Sequence, residues 1–394
     1  MSSGRAPVSV TAADGFVANG VACGIKPDDQ TDLALVATDD GRPVNAAAVF
    51  TPNLATAAPV EVSRSHLDET GGRAAAVILN SGNANAATGS GGRNCAEETC
   101  GMVAHGLGCE PSEVLVCSTG LIGIPLPMAP LRQGVPVAVA GLSPQGGSAA
   151  ANAILTTDTH AKEVTVHGEG FTVGGMAKGA AMLAPHLATM LAVLTTDAQV
   201  SPTDLHRALL SAAQSSFNIL SVDGCTSTND TVIVLAGGRR GAVDQDAFTD
   251  ALTWACIDLA EQMAGDAEGA TKLARITVTG AVSDEEAHVA ARKVADSLLV
   301  KCSLYGQDPY WGRVVSELGS AGVGFDPDRV SVAYGDEVVC RDGVAASHDP
   351  SVVTEHMRQG HVTITADLGL GTGTGMVMTS DLTHAYVDEN MRTS

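Results

Sequence analysis

Short apolar runs rich in Val, Ile and Thr recur along the chain: AVIL at 76–79, EVLVCS at 113–118, EVTVH at 163–167, TVIVL at 231–235, RITVT at 275–279, RVSVAY at 329–334 and HVTITAD at 361–367. Residues of this kind fit a pleated, half-buried surface, so each run predicts a strand. Between the runs the period changes to that of a helix. Over 246–264, Phe248, Leu252, Ala255, Cys256, Leu259 and Met263 fall on one helical face. Ser201-Pro202 opens a helix over 202–215, and Ser283 with Glu286 makes a capping box at the start of 284–300. No period of about 20–50 residues repeats, which argues against a solenoid or propeller. The pattern is that of a mixed α/β protein.

Breaks in the pattern are fewer than the length suggests. The segment 141–149 (GLSPQGGSA) reads as a linker and 281–285 as a weaker break. Gly369 to Gly375 carries alternate glycines after a strand, but the following MVMTSDL alternates like another strand. It offers no helix N-terminus to hold a pyrophosphate, so a Gly-rich hairpin is expected there. Asn80-Ser81-Gly82-Asn83-Ala84-Asn85 lacks the Gly-Lys-Ser/Thr ending of a phosphate loop and reads as a polar turn.

Composition narrows the functional classes. The 394 residues hold 45% hydrophobic but only 3% aromatic side chains and 44 glycines, which implies a core of small branched groups at close backbone approach. Length alone would suggest about two or three units or one large sandwich. The net charge of −22 argues against nucleic acid, whose binding depends on Lys and Arg displacing counterions. No apolar run approaches the roughly 18–20 residues of a membrane span, and the N-terminus has no secretory apolar core, so a cytoplasmic protein without a membrane partner is expected. The nine cysteines form no CxxC pair and read as buried reduced thiols. The histidines form no HxxxH or HxH pair, so no metal is expected, and no GxSxG elbow is present.

The most unusual stretch is 174–198, where Lys178 stands among small residues, Gly179 and Pro185 interrupt regular structure, and Thr189 sits inside an apolar run. Spacing alone reads it as a loop entering a buried strand with Thr189 in the core. The run Lys178-Gly179-Ala180-Ala181-Met182-Leu183-Ala184-Pro185, followed by Ala188-Thr189-Met190-Leu191 and Thr195-Thr196-Asp197-Ala198, resembles the ArgJ family of ornithine acetyltransferases (glutamate N-acetyltransferases). Further blocks resemble that family in the same order. They are Asn80 to Ala86, Ser118 to Gly123, Thr156 to Thr159, Ser227 to Thr231, Gly269 to Lys272, Asp308 to Arg313 and Thr379 to Thr383, covering essentially the whole chain.

The resemblance implies an α/β fold, a four-layer αββα sandwich like that of N-terminal nucleophile hydrolases. It implies self-cleavage between Ala188 and Thr189 into an α segment (1–188) and a β segment (189–394) of one intertwined catalytic fold, with α2β2 assembly. Thr189 is then the catalytic nucleophile, Thr119 and Gly120 the oxyanion hole, and Thr156 or Thr157, Lys178, Thr189, Glu268, Asn390 and Ser394 the substrate contacts. The chemistry suits the residue types, because a threonine freed at its amine carries its own base, titrating near about 8. The implied substrates are N2-acetylornithine and L-glutamate, with no cofactor and with acetyl-CoA as an alternative donor. Other readings are an N-terminal nucleophile amidase or aminopeptidase, in which water replaces glutamate, and an uncut, non-catalytic protein.

Overall fold

The computed structural model describes residues 9–181 and 190–391. Its first part comprises β1 (Phe16–Val21), β2 (Leu33–Thr38), β3 (Val44–Phe50), α1 (Ala58–Thr70), β4 (Arg73–Ala74), β5 (Ala76–Asn83), α2 (Gly89–Leu107), β6 (Val114–Leu121), α3 (Met128–Ala140), α4 (Gly147–Ala153), β7 (Lys162–His167) and β8 (Thr172–Lys178). The chain continues with β9 (Leu191–Thr196), α5 (Pro202–Gln214), β10 (Thr231–Ala236) and α6 (Gln245–Gly265).

Two sheets form from these strands, ordered β1-β2-β5-β6 and β4-β3-β10-β9-β8-β7. Alternation along each strand decides which side chain faces which layer. In β2, Ala34 and Val36 point inward with Val77, Leu79 and Leu115 to meet Met176, Leu191, Val193, Ile233 and Leu235 of the second sheet. Their neighbours Leu33 and Leu35 point outward with Ile78 and Val116, under Cys100 and Val103 of α2 and Leu131 and Val135 of α3. On the far side, Val173, Leu194, Val232 and Val234 pack beneath Leu205 and Leu209 of α5 and Leu252 and Leu259 of α6. Helix, sheet, sheet and helix follow in order, which is the expected four-layer sandwich. Small residues let the backbone approach closely: a Cβ at Gly174 in β8 would run into the carbonyl oxygen of Ser9, in the segment before β1.

Beyond the sandwich the chain forms β11 (Leu273–Ala281), α7 (Asp284–Ala295), α8 (Leu298–Tyr305), α9 (Trp311–Gly319), β12 (Ser331–Tyr334), β13 (Glu337–Arg341), β14 (Val344–Ala345), α10 (Pro350–Arg358), β15 (His361–Asp367), β16 (Gly373–Ser380) and α11 (His384–Asn390). Its six strands make a third sheet, β14-β13-β12-β15-β11-β16, with a hydrophobic core of its own. β11, β12, β15 and β16 were legible in the sequence; β13, β14 and the gathering of all six into a separate sheet were not.

Three local expectations change. The Gly369–Gly375 segment joins β15 to β16, but these strands are not partners, because β11 lies between them. The turn therefore crosses the end of β11, where Leu370 and Gly371 donate their N–H groups to Gly280 O. The segment 141–149 is no linker, since Ser143 exchanges backbone hydrogen bonds with Ala18. The helix expected over 284–300 is two helices. Ser283 caps α7 by accepting from Glu286 N–H at 3.2 Å, and Ser297 caps α8 by accepting from Val300 N–H at 3.4 Å.

Two parallel strand pairs position the site. β5 and β6 run side by side into Asn80-Ser81-Gly82-Asn83 and Ser118-Thr119-Gly120, with Ser81 opposite Thr119 and Gly82 opposite Gly120. β9 and β10 start together, Leu191 opposite Thr231.

Candidate active site

Polar residues in these blocks tie the C-terminal ends of β5 and β6 to the start of β10. Ser118 Oγ donates to Asn80 Oδ1 at 2.6 Å, and Asn80 Nδ2 donates to Asn83 O at 2.8 Å. Asn229 Nδ2 donates to Ala84 O at 2.6 Å and to Ser118 O at 2.9 Å, joining the two sheets. Thr119, buried, and Gly120 lie at this seam. Gly120 has φ +131°, which L side chains rarely adopt, and a Cβ there would run into the Gly82 backbone. Only a glycine permits the close crossing of β5 and β6 that exposes its backbone.

On the β10 side, Asp230 Oδ1 accepts from Met190 N–H at 3.1 Å, and Met190 O accepts from Thr231 N–H at 3.2 Å. The other oxygen, Oδ2, is buried with no hydrogen-bond partner among the described residues. Burial pushes this carboxyl well above the usual carboxylate range, against the lowering influence of Met190 N–H, Ser227 and the Lys178 charge. Met190 is the residue that follows Thr189. Thr189 and Ala188, with the implied cleavage bond, and Ser394 lie outside the described residues.

Lys178, at the end of β8, is almost fully buried, and its ammonium stands 3.7 Å from Asp158 Oδ2. Asp158 organises this corner. Its Oδ1 accepts from Lys162 Nζ at 2.6 Å and from Gly179 N–H at 2.7 Å, and Oδ2 accepts from Thr156 N–H at 3.1 Å. Lys162 also pairs with Asp266, which accepts from Thr159. Burial would raise the Asp158 pKa, but Lys178, Lys162 and the Gly179 N–H outweigh it and hold the carboxyl below its ordinary range. Thr156 is half-buried beside this network, whereas Thr157 is exposed.

Glu268 is buried, its N–H donating to Ala180 O at 2.9 Å, two residues beyond Lys178. Its Oε2 accepts from Asn390 Nδ2 at 2.7 Å, so two residues 122 apart in sequence meet at the site. The described candidates thus fall into two groups. Thr119 and Gly120 adjoin Gly82, Thr156 and Lys178 share Asp158, and Lys178 leads through Ala180 to Glu268 and Asn390. Sequence reading missed Asp158, Asp230, Lys162 and Asp266. The first two lay inside the quoted polar blocks, where a lone carboxylate among hydroxyl and amide residues was the available signal.

The arrangement offers backbone and hydroxyl donors at a strand end, a buried cation and a buried acid paired with an amide. It suits stabilisation of a developing oxyanion and recognition of a zwitterionic substrate. Among the described residues, no helix is long and apolar enough to cross a membrane.

The ArgJ family profile matches residues 17–393. A relative from Thermobifida fusca, named arginine biosynthesis bifunctional protein ArgJ, is 47% identical over 97% of this chain and 99% of its own. The protein of the same name from Mycolicibacterium paratuberculosis is 50% identical over 97% of this chain and 95% of its own. A solved structure of ornithine acetyltransferase complexed with ornithine, from Mycobacterium tuberculosis, is 48% identical, covers 45% of this chain and 94% of that one, and superposes with a TM-score of 0.43.

Proposed function

The chain belongs to the ArgJ family, and on that premise we propose that it is an acetyltransferase of arginine biosynthesis that carries acetyl from N2-acetylornithine to L-glutamate through Thr189. The observation that carries this reading is the junction at Asn229. This side chain bonds the carbonyl of Ser118, neighbour of Thr119, while the adjacent Asp230 holds the N–H of Met190, neighbour of Thr189. The chain neighbours of the proposed nucleophile and of the proposed oxyanion donors then belong to one polar cluster.

In the uncut chain the Thr189 hydroxyl attacks the Ala188 carbonyl, turning the amide into an ester. Water hydrolyses the ester, leaving a carboxylate on Ala188 and a free amine on Thr189. That amine takes the hydroxyl proton as Thr189 attacks the acetyl carbonyl of the donor, and Thr119 with Gly120 N–H receives the oxyanion. Collapse breaks the C–N bond, the amine returns the proton to the leaving ornithine, and acetyl-Thr189 remains. The amine of glutamate attacks this ester, giving N-acetylglutamate and regenerating Thr189. Lys178 pairs with the substrate α-carboxylate and Glu268, steadied by Asn390, with an ammonium group. Thr156, nearer the network than Thr157, supplies a polar contact, and Ser394 closes the pocket.

This chemistry asks only for a hydroxyl, an amine and hydrogen-bond donors, so the reading includes no cofactor. The name "bifunctional" on the relatives favours acetyl-CoA as a second donor to the same threonine. The two segments, 1–188 and 189–394, stay joined through the shared core, in an α2β2 cytoplasmic enzyme. The test is N-acetylglutamate formation with each donor. Product from N2-acetylornithine, absent in Thr189→Ala, supports the transfer; product from acetyl-CoA as well supports the second activity. Hydrolysis of N2-acetylornithine without glutamate acetylation would contradict it in favour of an amidase.

A further inference from the structure

The loop between β1 and β2 carries a second cation to the oxyanion side of the site. Asp32, fully buried, folds this loop back on itself. Its carboxylate accepts the N–H groups of Cys23 at 2.7 Å, Gly24 at 3.0 Å, Ile25 at 2.6 Å and Lys26 at 3.0 Å. The loop tip thereby lies on Gly82, where a Cβ would stand 3.0 Å from Lys26 Cγ and 3.2 Å from Ile25 Cγ2. Gly82 is the register partner of Gly120, so the Lys26 stem rests on the crossing that presents the Gly120 backbone.

The Lys26 ammonium then reaches the segment that carries Thr156. It donates to Leu155 O at 2.5 Å, just before Thr156, and to Thr31 O at 3.1 Å. An ammonium has three N–H donors, so one is uncommitted among the described residues. Burial lowers the Lys26 pKa and repulsion from Lys178 adds to this, while Asp32 and Asp158 oppose. Lys26, bonded to Leu155 O, and Lys178, paired with the Asp158 that holds the Thr156 N–H, both adjoin the segment around Thr156. The other described lysines are committed elsewhere: Lys162 to Asp158 and Asp266, Lys272 to Gln359 O, Lys293 to Glu317, and Lys301 to Thr379 and Ser380.

The two substrates of the proposed reaction differ in what a second cation can do. Both carry an α-carboxylate, which Lys178 serves. Only the acceptor has a second carboxylate; the donor ends in an ammonium. In a chain with net charge −22, a dicarboxylate is repelled at long range and needs a local counter-charge for each end. We propose that Lys26 is a specificity-determining residue that binds the side-chain carboxylate of the acetyl acceptor, at the corner formed by Gly82, Gly120 and Leu155. This rests on the acetyl-transfer reading.

The test compares L-glutamate with L-glutamine as acceptor, N2-acetylornithine being the donor. Lys26→Met keeps the apolar stem on Gly82 and removes the charge. The preference for glutamate over glutamine in kcat/KM falls by roughly ten- to hundredfold, the range for a charge-assisted hydrogen bond. The donor KM stays level, and Lys26→Arg keeps the preference. An unchanged preference in Lys26→Met, or a donor KM that rises in parallel as a purely structural loop would require, overturns the proposal. Failure of the unmodified chain to transfer acetyl from N2-acetylornithine to either acceptor overturns the functional reading itself, and this proposal with it.

Discussion

Replacing Asp158 by Asn removes one negative charge from a corner that holds two buried lysines. The Asp158 and Lys162 side chains are fully buried and that of Lys178 nearly so. Lys162 keeps Asp266 after the change, but Lys178 loses the carboxylate 3.7 Å away. An unpaired buried charge left by removing one partner costs about 3–5 kcal/mol, and the retained amide oxygen offsets part of this, so a loss of about 3 kcal/mol is expected at pH 7. The loss also depends on pH. The Asp158 pKa is depressed in the folded state, so its contribution is present above the unfolded value of about 4 and disappears as pH falls through the folded value. Denaturant unfolding of both proteins at pH 7 and at successively lower pH gives the difference directly. It should shrink below about pH 4. The variant should also raise the KM for both substrates, because Lys178 and the Thr156 N–H lose their common anchor. Equal stability of the two proteins at pH 7, or a difference that does not diminish with acid, would refute the reasoning.

Two further outcomes follow from other sites. Lys301 is buried against Thr379 and Ser380, and burial lowers its pKa from 10.5 to about 8 despite Asp296, Asp223 and Asp381. The unfolded chain binds the extra proton between these values, so Lys301 destabilises the fold below about pH 8 and ceases to do so above about pH 10.5. Lys301→Met should therefore be more stable than the parent at pH 7 by up to about 3 kcal/mol, the advantage fading by pH 11 in paired unfolding curves. At the oxyanion corner, Gly120→Ala combines a disfavoured φ with a clash against Gly82. It should lower kcat by roughly 10²-fold, with a measurable drop in Tm, and wild-type turnover would remove Gly120 from the site.

How much of this was visible beforehand depended on whether the information was local. α5 and α6 appeared with boundaries one residue from expectation, because Ser201 and the periodic apolar face act within a few residues. The division of α7 from α8 was missed because Ser297 sits within a pattern that continues on both sides. Strand partnership was not legible, since β15 and β16 are separated by a glycine turn like that of a hairpin and only the presence of β11 decides otherwise. Thr119, Gly120, Lys178, Glu268 and Asn390 were nominated only through the family resemblance. The residues that hold them were not, because Asp158 gains its importance from Lys162 and Lys178 meeting it in space, and Asp230 from its bond to Met190. Lys26 is the clearest case, a loop lysine that acquires a role only when Asp32 folds its backbone over Gly82.

The central claim is that Thr189 is both the cleavage residue and the acyl carrier, and intact-mass spectrometry of the purified protein with N2-acetylornithine, quenched before glutamate is added, tests it most directly. The account predicts two species dividing between Ala188 and Thr189, with the mass of one acetyl group on the fragment that begins at Thr189 and its loss when glutamate follows. A single full-length species that nevertheless converts N2-acetylornithine and glutamate to products would contradict it.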